Sequence, residues 1–220
     1  MHRQFKIQCA VDDGIIEMKK ILLAALLTML MLPTQVQARK LYYAEEFYLY
    51  ALNLYHTNPN LERNIRFMQW ALQAPFDNQV RSLALIENEQ DFRRYKALFR
   101  MHVNLLIIDS YLKLATRFDK QHVYYFNLWY AEELRESFTF AKYFYQISRN
   151  YWDEAKKHAD SAEGIPGRIN IDYWEDEQYL IQTGELDYGL IIDEHLQKLE
   201  ERLETVEDYL AQFEESGQES

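Results

Sequence analysis

Beyond residue 40, apolar side chains recur every three to four residues along most of the chain, the spacing that places them on one face of an α-helix. Leu41 to His56 aligns Ala44, Phe47, Tyr48, Ala51, Leu52 and Tyr55 and predicts a first helix. Thr57-Asn58-Pro59 ends it and starts the next. Asn58 can cap, and Pro59 suits a first helical position, where its missing N–H would have been unpaired anyway. The second helix carries Leu61, Ile65, Met68, Ala71 and Leu72 and stops at Pro75. After a turn at Phe76-Asp77-Asn78, the segment Glu89 to Phe118 begins amphipathic, with Phe92, Tyr95 and Phe99 in register. It becomes apolar almost all round at Val103 to Ile108, as expected of a helix surrounded by others. This is read as the central buried helix. His102 within it is expected to be a hydrogen-bonded core histidine, since buried polar groups need partners.

The stretch from His122 to Trp152 concentrates aromatic residues and contains neither Gly nor Pro. With Asp119 as its cap, it sets Phe126, Tyr130, Leu134, Phe138, Ala141 and Tyr145 in one stripe, and Glu132, Glu133, Arg135 and Glu136 on a solvated face. The stripe is read as core packing in preference to a ligand groove. Tyr124, Tyr125, Leu128 and Trp129 widen it beyond what one stripe can use. Tyr124, Tyr125, Trp129 and Tyr130 are therefore the candidate surface for a partner or a ligand. Ser148 or Asn150 is expected to cap a further helix through Tyr151, Trp152, Ala155 and His158 to Ala162.

Gly164-Ile165-Pro166-Gly167 marks a boundary. Residues 169–187 hold Tyr173, Trp174, Tyr179, Leu180 and Ile181 and predict a short helix closing over the end of the array, with Gly184 and Gly189 framing a turn. From Leu190 the pattern changes: Ile192, Leu196, Leu199, Leu203, Val206, Leu210 and Phe213 alternate steps of four and three, the coiled-coil seam. At about three heptads it stands at the lower limit for a free coiled coil. Leu196, Leu199, Leu203, Val206 and Leu210 form the candidate helix-association seam. Two uses stay open for it: a homodimer through residues 190–213, or packing on the chain's own domain. Glu214 to Ser220 reads as a frayed tail. The domain reading is thus residues 1–38 as leader, 39–163 as a helical domain, 164–189 as connector and 190–220 as a terminal amphipathic helix.

Two segments resemble the tetratricopeptide repeat. Tyr48, Ala51 and Tyr55 fall at the large, small and Tyr positions of that repeat's first helix, and Leu61, Ile65, Met68, Ala71 and Leu72 follow the second helix's spacing, with Pro75 near the closing Pro. Leu52 stands where the family usually has Gly. Phe138, Ala141, Tyr145, Tyr151, Ala155 and Ala162 resemble a second degenerate unit, although the two are not separated by a multiple of about 34 residues. The resemblance implies an all-α fold of antiparallel helical hairpins stacked as a short irregular array. A helical hairpin cannot bury both faces alone and must stack on a neighbour. The chain is also similar in general character to small repeat proteins of the spirochete periplasm, including those that build the flagellar motor collar.

Composition supports long helices: among 220 residues there are only 6 Gly and 4 Pro, few turn-formers for many short strands. The first forty residues read as a leader. Met18-Lys19-Lys20 supplies a positive n-region, Ile21 to Leu32 an apolar h-region, and Val36-Gln37-Ala38 a small-residue cleavage site near Ala38, with Met18 as the true start. The apolar run is about a dozen residues, short of the roughly 20 that span a bilayer, so no transmembrane span is expected after removal of the leader and the protein is expected in the periplasm. Cys9 is the one cysteine and lies in the leader region, so no disulfide or thiolate site is expected in the mature chain. The net charge is -11, and residues 1–38 carry one more basic than acidic side chain, which leaves the rest at about -12. Nucleic-acid binding needs a basic face to replace phosphate counterions, and none is visible.

Phosphate loops, dinucleotide fingerprints, G-x-S-x-G elbows and H-E-x-x-H pairs are absent from the sequence. His56, His102, His122, His158 and His195 never stand three or four apart, so no local metal pair is expected. Glu45-Glu46 and Glu175-Asp176-Glu177 are read as solvated surface, the default state of carboxylates. No catalytic residue, metal or cofactor is assigned. The sequence points to a non-enzymatic exported scaffold for protein–protein interaction in an envelope or flagellar-motor assembly; alternatively, to a binding module for a small apolar ligand held between aromatic helices.

Overall fold

The computed structural model describes residues 40–57, 60–119, 128–165 and 170–218. The expected leader with its cleavage site, Cys9, and the candidates Tyr124, Tyr125 and Phe126 lie outside the described residues. The fold is all-α: the described residues form six α-helices and no strand. They are α1 Ala44–Thr57, α2 Leu61–Gln73, α3 Glu89–Phe118, α4 Ala131–Glu163, α5 Asp172–Thr183 and α6 Tyr188–Gln218.

Local chemistry sets the helix ends. Glu46 reaches back to accept from the backbone N–H of Tyr42 and Tyr43 at 2.9 and 3.3 Å, satisfying donors that the start of α1 leaves unpaired. α2 is capped by Asn60, whose side chain accepts from Arg63 N at 2.9 Å; the helix starts at Leu61, two residues later than a Pro59 start would have it. The α3 cap is Asn88, accepting from Gln90 N and Asp91 N at 2.9 Å each. Gly184 ends α5 in the left-handed region at φ 75°, a conformation that a Cβ disfavours.

α1 and α2 form a hairpin whose ends are tied by Ala44 N donating to Pro75 O at 2.9 Å. α3 and α4 run antiparallel. Arg94, near the start of α3, donates to Ala162 O at the end of α4, while Ser137 near the start of α4 donates to Phe118 O, each at 2.7 Å. α6 returns antiparallel along α4, with Arg149 paired to Asp193, Lys142 to Glu200 at 3.0 Å and Arg135 to Glu207 at 3.8 Å.

The second hairpin expected from residues 138–162 is not formed: α4 runs unbroken from Ala131 to Glu163. Ser148 does not cap a new helix. It is buried within α4, its hydroxyl donating to Phe144 O one turn back at 2.9 Å, which satisfies the group without interrupting the helix. No Gly or Pro intervenes, and Leu134, Phe138, Ala141, Tyr145, Ser148, Trp152, Ala155, Ala159 and Ala162 make one continuous buried stripe.

Three groups of buried side chains hold the helices together. The largest joins α1, α2, α3 and the end of α4 around Trp174 of α5. A second joins α4 to α6 through Leu134, Phe138, Ala141 and Tyr145 against Ile192, Leu199 and Val206. A smaller one brings Leu105 and Ile108 of α3 to Trp152 and Ala155 of α4. The short helix expected to close the array is therefore a core element, since Trp174 is fully buried.

Candidate functional site

The expected partner surface is partly visible. Trp129 is 86% and Tyr130 58% exposed, both in a short 3₁₀ turn Leu128–Tyr130 ahead of α4. Tyr130 thus departs from the stripe that Leu134, Phe138, Ala141 and Tyr145 continue, because the helical period begins only at Ala131. Of the seam residues, Leu199 and Val206 are buried against α4 of the same chain and Leu196, Leu203 and Leu210 pack partly buried beside them. Between the two uses left open for the seam, packing on the chain's own domain is observed.

α4 carries a second aromatic set, turned away from α6. Phe140 and Phe144 both stand against Phe118 of α3, with ring centroids 5.7 and 5.6 Å apart, and Tyr111 stacks on Phe144 at 6.0 Å and on Tyr151 at 5.8 Å. Gln69 of α2 closes this ladder, its Nε2 donating to Tyr151 Oη at 2.9 Å and Tyr111 Oη at 3.3 Å. At its other end the ladder opens to solvent: Phe140 is 46% and Tyr143 57% exposed, with Tyr143 in ring contact with Phe144 at 5.8 Å.

A polar network is buried on the other side of α3. α5 presents Tyr173 and Trp174 in succession, and Glu177 one turn further. Trp174 packs on Tyr95, Phe99, His102 and Tyr48 at centroid distances of 5.4 to 6.2 Å. Glu177 Oε2 lies 2.7 Å from His102 Nδ1, His102 Nε2 lies 3.1 Å from Tyr48 Oη, and Tyr48 Oη lies 3.2 Å from Tyr173 Oη. A carboxylate can only accept, so Nδ1–H donates to Glu177; a neutral imidazole would then accept at Nε2 from Tyr48, whose oxygen is within reach of the Tyr173 hydroxyl. His102 is the hydrogen-bonded core histidine expected of it. Burial, helped by the neighbouring Tyr173 and Glu177, pushes the Tyr48 hydroxyl well above its ordinary value. It stays protonated at neutral pH, and the network orders hydrogen-bond donors instead of supplying a phenolate.

Beside this network lies a cavity of about 290 Å³, lined on α1 by Tyr48, Ala51 and Leu52, on α2 by Asn64 and Met68, on α3 by His102, Leu106 and Ser110, and on α5 by Tyr173. The lining is mostly apolar. Ser110 is satisfied by Leu106 O at 2.8 Å. Asn64 is only 1% exposed and neither its Oδ1 nor its Nδ2 has a hydrogen-bond partner.

The acidic clusters are only in part the solvated surface expected of them: Asp176 is exposed, Glu46, Glu175 and Glu177 are half-buried, and Glu45 is not solvated. Glu45 is buried; one carboxylate oxygen accepts from Asp77 N at 3.1 Å and the other from Tyr95 Oη at 3.2 Å. Glu177 serves His102, and Glu175 stands 3.7 Å from Arg94. Their partners come from helices distant in sequence, and spacing within the clusters gave no sign of them. Buried Asp119 ends α3, accepts from Tyr145 Oη and lies 4.0 Å from His195 Nδ1, while Arg202 donates to its carbonyl at 2.9 Å. His195 stacks on Tyr145 with centroids 4.9 Å apart, and burial holds its pKa below the ordinary value.

Among the described residues no group of three or more His, Cys, Asp or Glu could hold a metal ion, and no helix is long and apolar enough to cross a membrane. A family model described as Domain of unknown function (DUF8513) matches residues 90–209, from the first turn of α3 into α6. No curated protein and no solved structure matches the chain.

Proposed function

The chain belongs to the DUF8513 family, and for it we propose a role as a non-enzymatic, exported helical scaffold that holds a protein partner in an envelope or flagellar-motor assembly. The single observation that carries this role is the aromatic ladder between α3 and α4, which ends in the exposed rings of Phe140 and Tyr143. Aromatic side chains bury large areas at little entropic cost and are enriched at the centre of protein interfaces. Exposed rings backed by a rigid row of other rings are already ordered, so docking immobilises little that was free. Trp129 and Tyr130, exposed in the turn ahead of α4, are included in the proposed surface. A degenerate helical-repeat scaffold of the tetratricopeptide kind would use its helical faces in this way, and the acidic balance of the chain favours a partner with basic residues around an apolar centre.

The test is capture of a partner from an intact envelope fraction, with the native protein and with a Phe140→Ser, Tyr143→Ser double variant. A specific protein should be recovered by the native chain and fall at least tenfold with the variant, while the variant's melting temperature stays within about 2 °C because exposed positions contribute little to stability. Recovery of no protein, or equal recovery by both, would remove the scaffold role.

A further inference from the structure

The cavity beside Tyr48 presents carbon to its interior and keeps its polar atoms paired or out of reach. The Ser110 hydroxyl donates to Leu106 O of its own helix, both ring nitrogens of His102 are held by Glu177 and Tyr48, and the Tyr48 and Tyr173 hydroxyls bond each other. The amide atoms of Asn64 have essentially no accessible surface, so they offer the space nothing. What remains is an almost wholly apolar lining: Ala51, Leu52, Met68 and Leu106, with the rings of Tyr48, His102 and Tyr173. Those rings already meet edge to face, Tyr48 with His102 at 5.7 Å and His102 with Tyr173 at 5.2 Å. The hydrogen-bonded chain from Tyr173 to Glu177 ties α1, α3 and α5 together, so the shape is held without a guest. Among the lining residues Tyr173 is exposed, Leu52 and Leu106 are half-buried and the others are buried, which puts the entrance beside Tyr173.

We infer that this cavity binds an uncharged aromatic molecule of one or two rings that carries no strongly polar head. Its volume of about 290 Å³ is roughly twice that of a dry apolar cavity able to hold one benzene ring, which sets the size of the guest. Unfilled apolar space leaves the atoms around it short of contacts, and an apolar guest restores them. A ring suits the site better than an alkyl chain. It can join the edge-to-face group of Tyr48, His102 and Tyr173, and the Met68 thioether adds a favourable sulfur–aromatic contact. A charged or strongly polar head would shed its water and find no partner, because the donors and acceptors of the wall bond one another and Glu177 is already held by His102. Binding here is independent of partner docking, since the exposed rings of Phe140 and Tyr143 are not part of this lining.

Toluene is the probe, with methylcyclohexane as the saturated form of the same skeleton and benzoate and benzylammonium as charged counterparts, each titrated into the purified protein and followed by amide NMR. Toluene should bind saturably at one site, at least tenfold more tightly than either ion and about threefold more tightly than methylcyclohexane, with shift changes centred on the cavity walls of α1, α2, α3 and α5. Leu52→Trp and Leu106→Trp each fill the cavity from a half-buried position, and either should weaken toluene tenfold or more; with two positions, one folded variant suffices. The Phe140→Ser, Tyr143→Ser double variant should bind toluene as the native chain does, which separates failure of this site from failure of the scaffold role. Absence of saturable toluene binding, shift changes centred elsewhere, an ion or methylcyclohexane binding as tightly as toluene, or toluene binding unaffected by the tryptophan substitutions would each overturn the proposal.

Discussion

The core around Trp174 and the seam between α4 and α6 solve the same packing problem with different materials. Around Trp174, rings from α1, α3 and α5 meet edge to face, with centroids 5.3 to 6.2 Å apart. Such rings bury much area, but Tyr and His bring polar tips that must be paired, and here the pairing runs from Tyr173 through Tyr48 and His102 to Glu177. Along the seam, Ala131, Leu134, Phe138 and Ala141 face Ile192, Leu199 and Val206, and small residues opposite branched ones interlock by shape, with the buried polar pairing centred on Asp119, Tyr145 and Arg202. The lesson is that most of the heptad seam needs only periodicity, whereas the aromatic core needs particular partners throughout.

Replacing Trp174 by Ala should have the largest effect, about 3–5 kcal/mol of lost stability, read from urea unfolding monitored by circular dichroism. A loss below about 1 kcal/mol would mean that the ring is not central to that core. Leu199→Ala should cost about 2–3 kcal/mol, since the seam keeps Ile192 and Val206 to either side. In the double variant the two losses should add to within about 0.5 kcal/mol if the regions are energetically independent; strong non-additivity would join them into one core. The smallest effect concerns pH. Burial, opposed by Asp119 and Glu194 and reinforced by Lys198 and Arg202, depresses the pKa of His195, so between its folded value and about 6.5 the unfolded chain binds more protons than the folded one. Stability is then full above pH 6.5 and declines as pH falls through that value. His158 shifts in the same direction, burial again being the leading cause. His195→Gln should therefore retain part of the decline but show a shallower fall in melting temperature from pH 7.5 to 5.5 than the native protein. Equal slopes would place the His195 imidazole in solvent.

Legibility followed the same division. The central helix was readable end to end, Glu89 to Phe118, because a change in periodicity and its flanking residues are local signals. The seam was readable as a pattern, although periodicity alone does not say what lies opposite, and the answer proved to be α4. The break expected near Ser148 failed because a serine hydroxyl can return to its own helix as readily as it can cap another. The cavity was not foreseen among Tyr48, Asn64, His102 and Tyr173: a ligand groove would have been sought in the stretch from His122 to Trp152. Asn64 sits one position from Ile65 on the buried face of α2, and a polar residue intruding on an apolar face was the available signal. The burial of Glu45 and the use of Glu177 depend on Tyr95 and His102, 50 and 75 residues away, a distance that no local spacing reports.

The two faces of α4 have a consequence for how such a chain can change over time. Phe138, Ala141, Tyr145 and Trp152 are committed inward, while Phe140 and Tyr143 on the same turns look outward. Because the two sets interleave at adjacent positions, the outward rings can be exchanged one by one without touching the residues that hold the shape. One helix thus carries two vocabularies along a single thread, and descendants of this chain are free to rewrite one while preserving the other.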